Sequence, residues 1–160
     1  MELHKTKIDL PKGKREKLIA ILNQSLADAA DLKSQAKQAH WNVKGPNFIA
    51  LHELFDRVAA EIDTHVDDIA ERITTLGGVA MGTVRLAAAR SSLAEYPHEI
   101  SDGTAHVDAL SSAIADFGKK MRKNIDTTDG LGDADTADLY TGVSRSVDKL
   151  LWFVEAHIQA

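Results

Sequence analysis

The chain has 160 residues, enough for one domain with a substantial hydrophobic core. Hydrophobic residues make up 44% of it and charged residues 27%, which is ordinary globular usage. Cysteine is absent, which excludes a disulfide framework and a thiolate metal site. The net charge of −5 argues against strong, non-specific binding of polyanions by the folded domain.

The sequence contains no secretory signal and no apolar run of about 18 residues that could cross a membrane. The lack of cysteine is compatible with a reducing compartment. We therefore expect a soluble, cytoplasmic protein with no membrane partner.

The chain begins with a basic extension, which we assign to residues 1–13. The first 17 residues, MELHKTKIDLPKGKREK, contain six lysines or arginines and three acidic residues. Four longer segments follow, each with apolar residues at helical spacing, and they cover approximately residues 14–41, 47–76, 103–125 and 133–158. Gly77 and Gly78 end the second segment, and Asp133 or Asp135 is the expected N-cap of the fourth.

No strand pattern is present, so the predicted fold class is all-α. Helices of this length reach about 40 Å, and four of them with apolar stripes predict a four-helix bundle over residues 14–160. The connection over residues 77–102 is long enough for a crossover, as in ferritin-like bundles. Within it, TVRLAAARSSL predicts a short additional helix.

One flank of the second helix is lined with titratable side chains, namely His52, Asp56, Asp63, Asp67 and Glu71. His52 and Asp56 are four residues apart, as are Asp67 and Glu71, so each pair could hold one metal ion from successive turns. Asp56 and Asp67 are separated by about 16 Å along the helix axis, which is too far for one ion to bridge. Within one chain, the two pairs are therefore two half-sites.

The two half-sites are placed symmetrically about the middle of the helix. If a second copy crosses it antiparallel about a two-fold axis, His52 and Asp56 of one copy face Glu71 and Asp67 of the other. Two equivalent sites between subunits would result, and His40 at the end of the first helix could add a nitrogen. Such a set of imidazoles and carboxylates suits Fe(II), Mn(II) or Zn(II) better than Cu(I).

A second interpretation of the same flank is a solvated polar face. Asp and Glu are common on helices, so the spacing is only moderately specific. In that case the protein is a purely structural bundle, whose charged flank forms salt bridges across a dimer.

The same residues carry a family resemblance. The segment AHWNVKGPNFIALHELFD, followed by DDIAERITTLGGVAMG, resembles the signature of the Dps family, the DNA-protection-during-starvation miniferritins. The resemblance extends to SRSVDKLLWFVEAHI near the C-terminus. It implies a ferritin-like bundle, a short helix in the crossover, and a hollow homododecamer.

The resemblance also implies a ferroxidase site at the two-fold interface. His40, His52 and Asp56 would come from one subunit and Asp67 and Glu71 from its partner. The implied function is oxidation of Fe(II), preferably with hydrogen peroxide, storage of the Fe(III) mineral in the hollow shell, and protection of DNA from oxidative damage. Zn(II) could compete for the same ligands.

Two residues beside this site have alternative interpretations. Trp41 resembles a family tryptophan that could donate an electron or trap a radical, and its other interpretation is packing. Lys37 lies one turn before His40 and could form a hydrogen bond near the site, or it could be a surface lysine.

Aspartates cluster at the start of the fourth helix, at Asp129, Asp133, Asp135 and Asp138. Around a three-fold axis they would concentrate cations. The resemblance implies an iron-entrance pore there, and Asp129 and Asp138 match its acidic positions best. Helix capping and turn formation are the alternative roles. The remaining histidines, expected to be structural or surface residues, are His4, His65, His98, His106 and His157.

Some members of the resembled family bind DNA through a lysine-rich tail. In this chain the basic cluster is short and interleaved with acidic residues, although twelve copies could still make salt-sensitive contacts with phosphates. The alternative function is therefore a nucleoid-associated protein that compacts DNA and has weak iron chemistry.

Overall fold

The computed structural model describes residues 3–159, which form five α-helices and, within this range, no strand. The helices are α1 (Lys12–Asn42), α2 (Phe48–Thr75), α3 (Val84–Arg90), α4 (Gly103–Gly130) and α5 (Ala134–Glu155). Four long helices and one short helix in the crossover are the predicted arrangement. The all-α prediction is therefore confirmed.

The helix ends differ from the predicted ones by a few residues. Helix α1 begins at Lys12, because the Pro11 carbonyl accepts the backbone N–H groups of Lys14 and Arg15 at 3.0 and 3.1 Å. Helix α4 continues past the last apolar position to Gly130. In this polar extension, the Thr127 hydroxyl donates to the Lys123 carbonyl one turn earlier at 2.8 Å. Apolar spacing alone therefore underestimates how far α4 extends.

The core lies between two helix pairs, α1 with α2 and α4 with α5. Its largest fully buried side chains include Leu22, Phe55, Ile62, Phe117 and Tyr140. Burying each such side chain contributes about 1.5–3 kcal/mol. The apolar stripe of α2 is thereby used within the bundle, and its titratable flank is left at the surface.

The residues before α1 are tied to the end of α2. The backbone N–H of His4 donates to the Gly77 carbonyl at 2.8 Å. Gly77 has φ of 85°, and a Cβ there would lie 2.6 Å from the His4 carbonyl oxygen, so both backbone conformation and space require glycine. Arg15 donates to the Leu10 and Leu76 carbonyls at 3.1 and 2.9 Å. The guanidinium of Arg15, one of the cations of the basic cluster, thus binds backbone carbonyls within the fold.

A buried ion pair joins α2 to the start of α5. Arg72 donates to both carboxylate oxygens of Asp133 at 2.8 and 3.0 Å. Asp133 is also the N-cap of α5, as predicted, and accepts the backbone N–H and the hydroxyl of Thr136. Burial alone would raise the pKa of Asp133, but the hydrogen bonds from Thr136 and Arg72 outweigh burial and lower it.

Across residues 3–159, the helices are too polar or too short for any of them to span a lipid bilayer.

Replacing Asp133 by Asn should destabilise the fold by about 1–3 kcal/mol at neutral pH, since Arg72 loses its buried anionic partner. The folded-state pKa of Asp133 is lowered, so its stabilisation is fully present above the unfolded value of about 4. This stabilisation is lost as the pH falls through the lower folded value. Denaturant unfolding at equal protein concentration and several pH values measures the effect.

Asp135→Asn is the matched control. Asp135 is highly exposed and lies 3.9 Å from Arg72, so its loss should change stability very little. Equal destabilisation by the two substitutions, or a difference between Asp133→Asn and the wild type that persists well below pH 4, would contradict the assigned role of Asp133.

Candidate metal centre

The loop between α1 and α2 brings His40 and His52 together. Gly45 has φ of 112° in this loop, a conformation that favours glycine, and its carbonyl accepts the Phe48 N–H at 3.0 Å as α2 begins. The Lys44 N–H donates to the Ser101 carbonyl at 2.8 Å, which fixes the loop against the end of the crossover. His40 thus lies in the last turn of α1, opposite the first turns of α2.

His40 and His52 exchange two hydrogen bonds. Nδ1 of His40 is 2.7 Å from the carbonyl oxygen of His52, and Nδ1 of His52 is 2.8 Å from the carbonyl oxygen of His40. The rings stack with centroids 3.7 Å apart and planes 22° apart. The last four carbonyls of a helix have no partner within it, so His52 also satisfies a carbonyl at the end of α1.

This arrangement determines the tautomer of both rings. A carbonyl oxygen only accepts, so each Nδ1 must carry a proton and donate it. In a neutral imidazole, the proton on Nδ1 leaves the lone pair on Nε2. Both rings are therefore oriented by backbone carbonyls and keep Nε2 available for a cation, the usual state of metal-binding histidine.

Asp56 lies one turn after His52 and pairs with Lys37 of α1. The Lys37 Nζ atom is 2.6 Å from Asp56 Oδ1. This hydrogen bond is the main cause of the lowered pKa of Asp56, and the charge of Lys37 acts in the same direction. The carboxylate is therefore ionised and lies on the turn of α2 that follows His52. The structure favours the interpretation of Lys37 as a hydrogen-bond donor near the site.

Asp67 and Glu71 are exposed on the second half of α2 and form no ion pair within residues 3–159. Asp67 lines an open groove of about 460 Å³, whose lining includes the small side chains Ala60 and Thr64. Asp63, on the same flank, pairs with Lys33 at 2.6 Å. The flank thus combines small side chains with unpaired carboxylates.

The structure brings only some of the predicted ligands together in one chain. His40 and His52 are in contact, Asp56 lies one turn after His52, and Asp67 and Glu71 lie further along α2. Across the described part of the chain, no three histidine or acidic side chains are arranged to hold a metal ion. The described part of one chain thus contains no complete metal site.

Trp41 follows His40 and is 66% exposed. Its ring centroid is 5.7 Å from the Lys37 Nζ atom. Packing within one chain does not explain this residue, because most of its surface contacts no part of the bundle.

The acidic cluster near α5 divides into two kinds of residue. Asp133 is buried and held by Arg72, so it serves the fold. Asp129, Asp135 and Asp138 are exposed. Asp129 and Asp138, the predicted pore residues, thus remain accessible to solvent.

The other histidines lie away from this centre. His4, His98 and His157 are exposed, and His98 bonds Glu95 at 3.0 Å. His65 and His106 are buried. Pairing of His106 with Tyr96 of the crossover was missed by sequence reasoning, because no spacing rule connects an irregular segment to a helix.

Comparison with known proteins agrees with this architecture. The ferritin family, described as a ferritin-like domain, matches residues 19–160. The DNA protection during starvation protein of Agrobacterium fabrum is 47% identical over 159 residues, covering 99% of this chain and 98% of that protein. The protein of the same name from Mycolicibacterium smegmatis is 33% identical over 140 residues, covering 88% and 76%.

Two solved structures are similar over most of their length. Dps from Mycobacterium smegmatis in a tetragonal form has a TM-score of 0.93 and 31% identity, covering 98% of this chain and 96% of that one. Dps from Microbacterium arborescens in the high iron form has a TM-score of 0.86 and 32% identity, covering 92% and 96%. The chain therefore belongs to the Dps family of ferritin-like proteins.

Proposed function

We propose that this protein is a ferroxidase and iron store, assembled as a hollow homododecamer. It binds Fe(II) at sites shared between two subunits, oxidises it preferentially with hydrogen peroxide, and stores the Fe(III) product inside the shell. Removal of iron and peroxide protects DNA from oxidative damage. The observation that carries the proposal is the His40–His52 pair, which keeps both Nε2 lone pairs available beside an ionised carboxylate.

The chemistry of these donors supports iron as the substrate. Two imidazoles and a carboxylate form a set of intermediate hardness that suits Fe(II), with Zn(II) as a competitor. Carboxylates from Asp67 and Glu71 of the partner would add hard oxygen donors, which favour the Fe(III) product. Because few strong ligands surround each ion, coordination positions stay open for a second iron or for peroxide.

The oxidation is balanced without a free radical. One hydrogen peroxide molecule, two Fe(II) ions and two protons give two Fe(III) ions and two water molecules. Each Fe(II) supplies one electron, so hydroxyl radical need not form. The relation to Dps from Microbacterium arborescens in the high iron form supports iron storage as well as oxidation.

Further parts of the proposal concern iron entrance and the surroundings of the site. Asp129 and Asp138, both exposed, would line a three-fold pore that attracts Fe(II). Trp41 would donate an electron or trap a radical beside His40. We place the protein in the cytoplasm.

Direct DNA binding has weaker support. Arg15 of the basic cluster is engaged with the backbone of Leu10 and Leu76, which reduces the cations free for phosphate. We therefore propose protection of DNA mainly through iron chemistry, and the nucleoid-associated alternative depends on the remaining lysines.

Sharing of the site is tested with two variants that each lack one half. His52→Ala with Asp56→Ala removes one half, and Asp67→Ala with Glu71→Ala removes the other. Each variant alone should oxidise no Fe(II) at this site. In co-assembled shells, each mixed two-fold pair regains one complete site, so random pairing restores about one quarter of the wild-type rate. Oxidation by peroxide is followed by Fe(III) absorbance.

The control is a chain with all four substitutions, which should restore nothing when mixed with either variant. If mass spectrometry shows mixed shells and the original pair of variants still gives no activity, the site is not divided between subunits in this way.

A second prediction concerns Lys37, whose ammonium group is hydrogen-bonded to Asp56. Lys37→Gln removes an ammonium that must leave its hydrogen bond when Fe(II) binds. Because the competing cation is gone, the Fe(II) affinity should rise several-fold. Anaerobic calorimetry with Fe(II), repeated with Zn(II), measures the change.

Lys33→Gln serves as the matched control, because Lys33 pairs with Asp63 at the same 2.6 Å distance and Asp63 is outside the predicted ligand set. Its affinity should equal that of the wild type. Equal effects of the two substitutions, or weaker binding after Lys37→Gln, would reject direct competition at Asp56.

A further inference from the structure

A buried tyrosine and a buried histidine form a pair between the crossover and α4. The Tyr96 hydroxyl oxygen is 2.7 Å from Nδ1 of His106, and the two residues are 6% and 1% exposed. Their rings are nearly parallel, with centroids 6.0 Å apart. The pair joins the crossover to α4.

The environment assigns the phenol as the donor of this hydrogen bond. Burial raises the pKa of Tyr96, so the phenol keeps its proton. Burial lowers the pKa of His106, so its ring is neutral, while the backbone of Ile100 and Asn42 and the charge of Asp102 act in the opposite direction. A neutral imidazole bonded to a phenol can take the phenolic proton when the phenol loses an electron.

The pair is linked to α2 through Phe55. The Phe55 ring is buried in the core, and its centroid is 6.4 Å from that of His106. Phe55 precedes Asp56 and follows His52 by three residues on α2. One aromatic ring therefore separates the pair from the helix segment that supplies two predicted ligands.

We propose that Tyr96 supplies the second electron for peroxide reduction when a site holds only one Fe(II), with His106 as the proton acceptor. The inference rests on the proposed function. A lone Fe(II) ion can give peroxide one electron, and cleavage of the oxygen–oxygen bond then releases hydroxyl radical. An electron from Tyr96 completes the reduction to water instead.

The step balances in atoms and charge. Hydrogen peroxide, one Fe(II), two protons from solvent and the neutral pair give Fe(III), two waters, a Tyr96 phenoxyl radical and a protonated His106. The oxygen–oxygen bond breaks, and the phenolic proton moves to Nδ1. A later Fe(II) ion reduces the radical, becomes Fe(III), and the proton returns from His106 to the phenol.

The second tyrosine of the chain provides a matched control. Tyr140 is also buried, but its hydroxyl lies 2.9 Å from the Ser25 hydroxyl, which is a poor proton acceptor. Tyr140 thus shares burial with Tyr96 and lacks the imidazole. Since the chain has only two tyrosines, the two substitutions to Phe cover every tyrosyl radical it can form.

The test is freeze-quench electron paramagnetic resonance on the assembled protein, loaded anaerobically with one Fe(II) per site and mixed with one equivalent of peroxide. The wild type should give a tyrosyl signal whose splitting changes with ring-deuterated tyrosine. Tyr96→Phe should lose that signal and release several-fold more hydroxyl radical to a spin trap. Tyr140→Phe should match the wild type.

His106→Gln tests the proton acceptor separately. It should reduce the radical yield and shift the high-field tyrosyl spectrum, since the hydrogen bond from the imidazolium is lost. A merely structural histidine would leave that spectrum unchanged in any radical that still forms.

The outcomes separate this inference from the proposed function. Fe(III) formation in the wild type without a tyrosyl signal, or with a signal that survives Tyr96→Phe, overturns the inference alone. A signal that instead disappears in Trp41→Phe and is insensitive to deuterated tyrosine assigns the electron to Trp41. Absence of Fe(III) formation in the wild type at any iron loading overturns both.

Discussion

The two hydrogen bonds between His40 and His52 are the constraint on which the candidate centre depends. They join the end of α1 to the start of α2, satisfy a carbonyl that the helix end leaves without a partner, and hold both imidazoles in one tautomer. The hydrogen bonds that form as α1 and α2 fold together therefore also orient the two predicted histidine ligands. In the proposed site the rings would need no rearrangement to bind a cation, which would reduce the entropic cost of binding.

Near this pair, the negative charge of Asp56 is compensated by a lysine of the same chain. Asp56 is ionised beside the two rings, and Lys37 neutralises it at the surface. Asp67 and Glu71 form no ion pair with the described residues of their own chain, so they are accessible to a neighbouring subunit in the proposed assembly. The same helix thus carries one compensated and one uncompensated half, and pairing two copies brings the halves together in the proposed assembly.

Much of this architecture was predictable because it depends on short-range periodicity. Apolar spacing along α2 identifies its buried stripe, and the positions of His52, Asp56, Asp67 and Glu71 on one helix fix their separation. The end of α4 was less predictable, because the helix continues beyond its apolar residues into a polar segment that ends at Gly130. The exchanged bonds of His40 and His52, and the Tyr96–His106 contact, depend on loop conformations that residue types alone do not specify.

The anchoring of His4 to Gly77 has a practical consequence for work with recombinant protein. Glu71 lies six residues before Gly77, about 9 Å along the helix axis. A polyhistidine purification tag fused ahead of residue 1 would be tethered near the acidic half of the centre, and its imidazoles would compete there for the same cations. Titrations of this protein with metal are therefore interpretable only after such a tag has been removed.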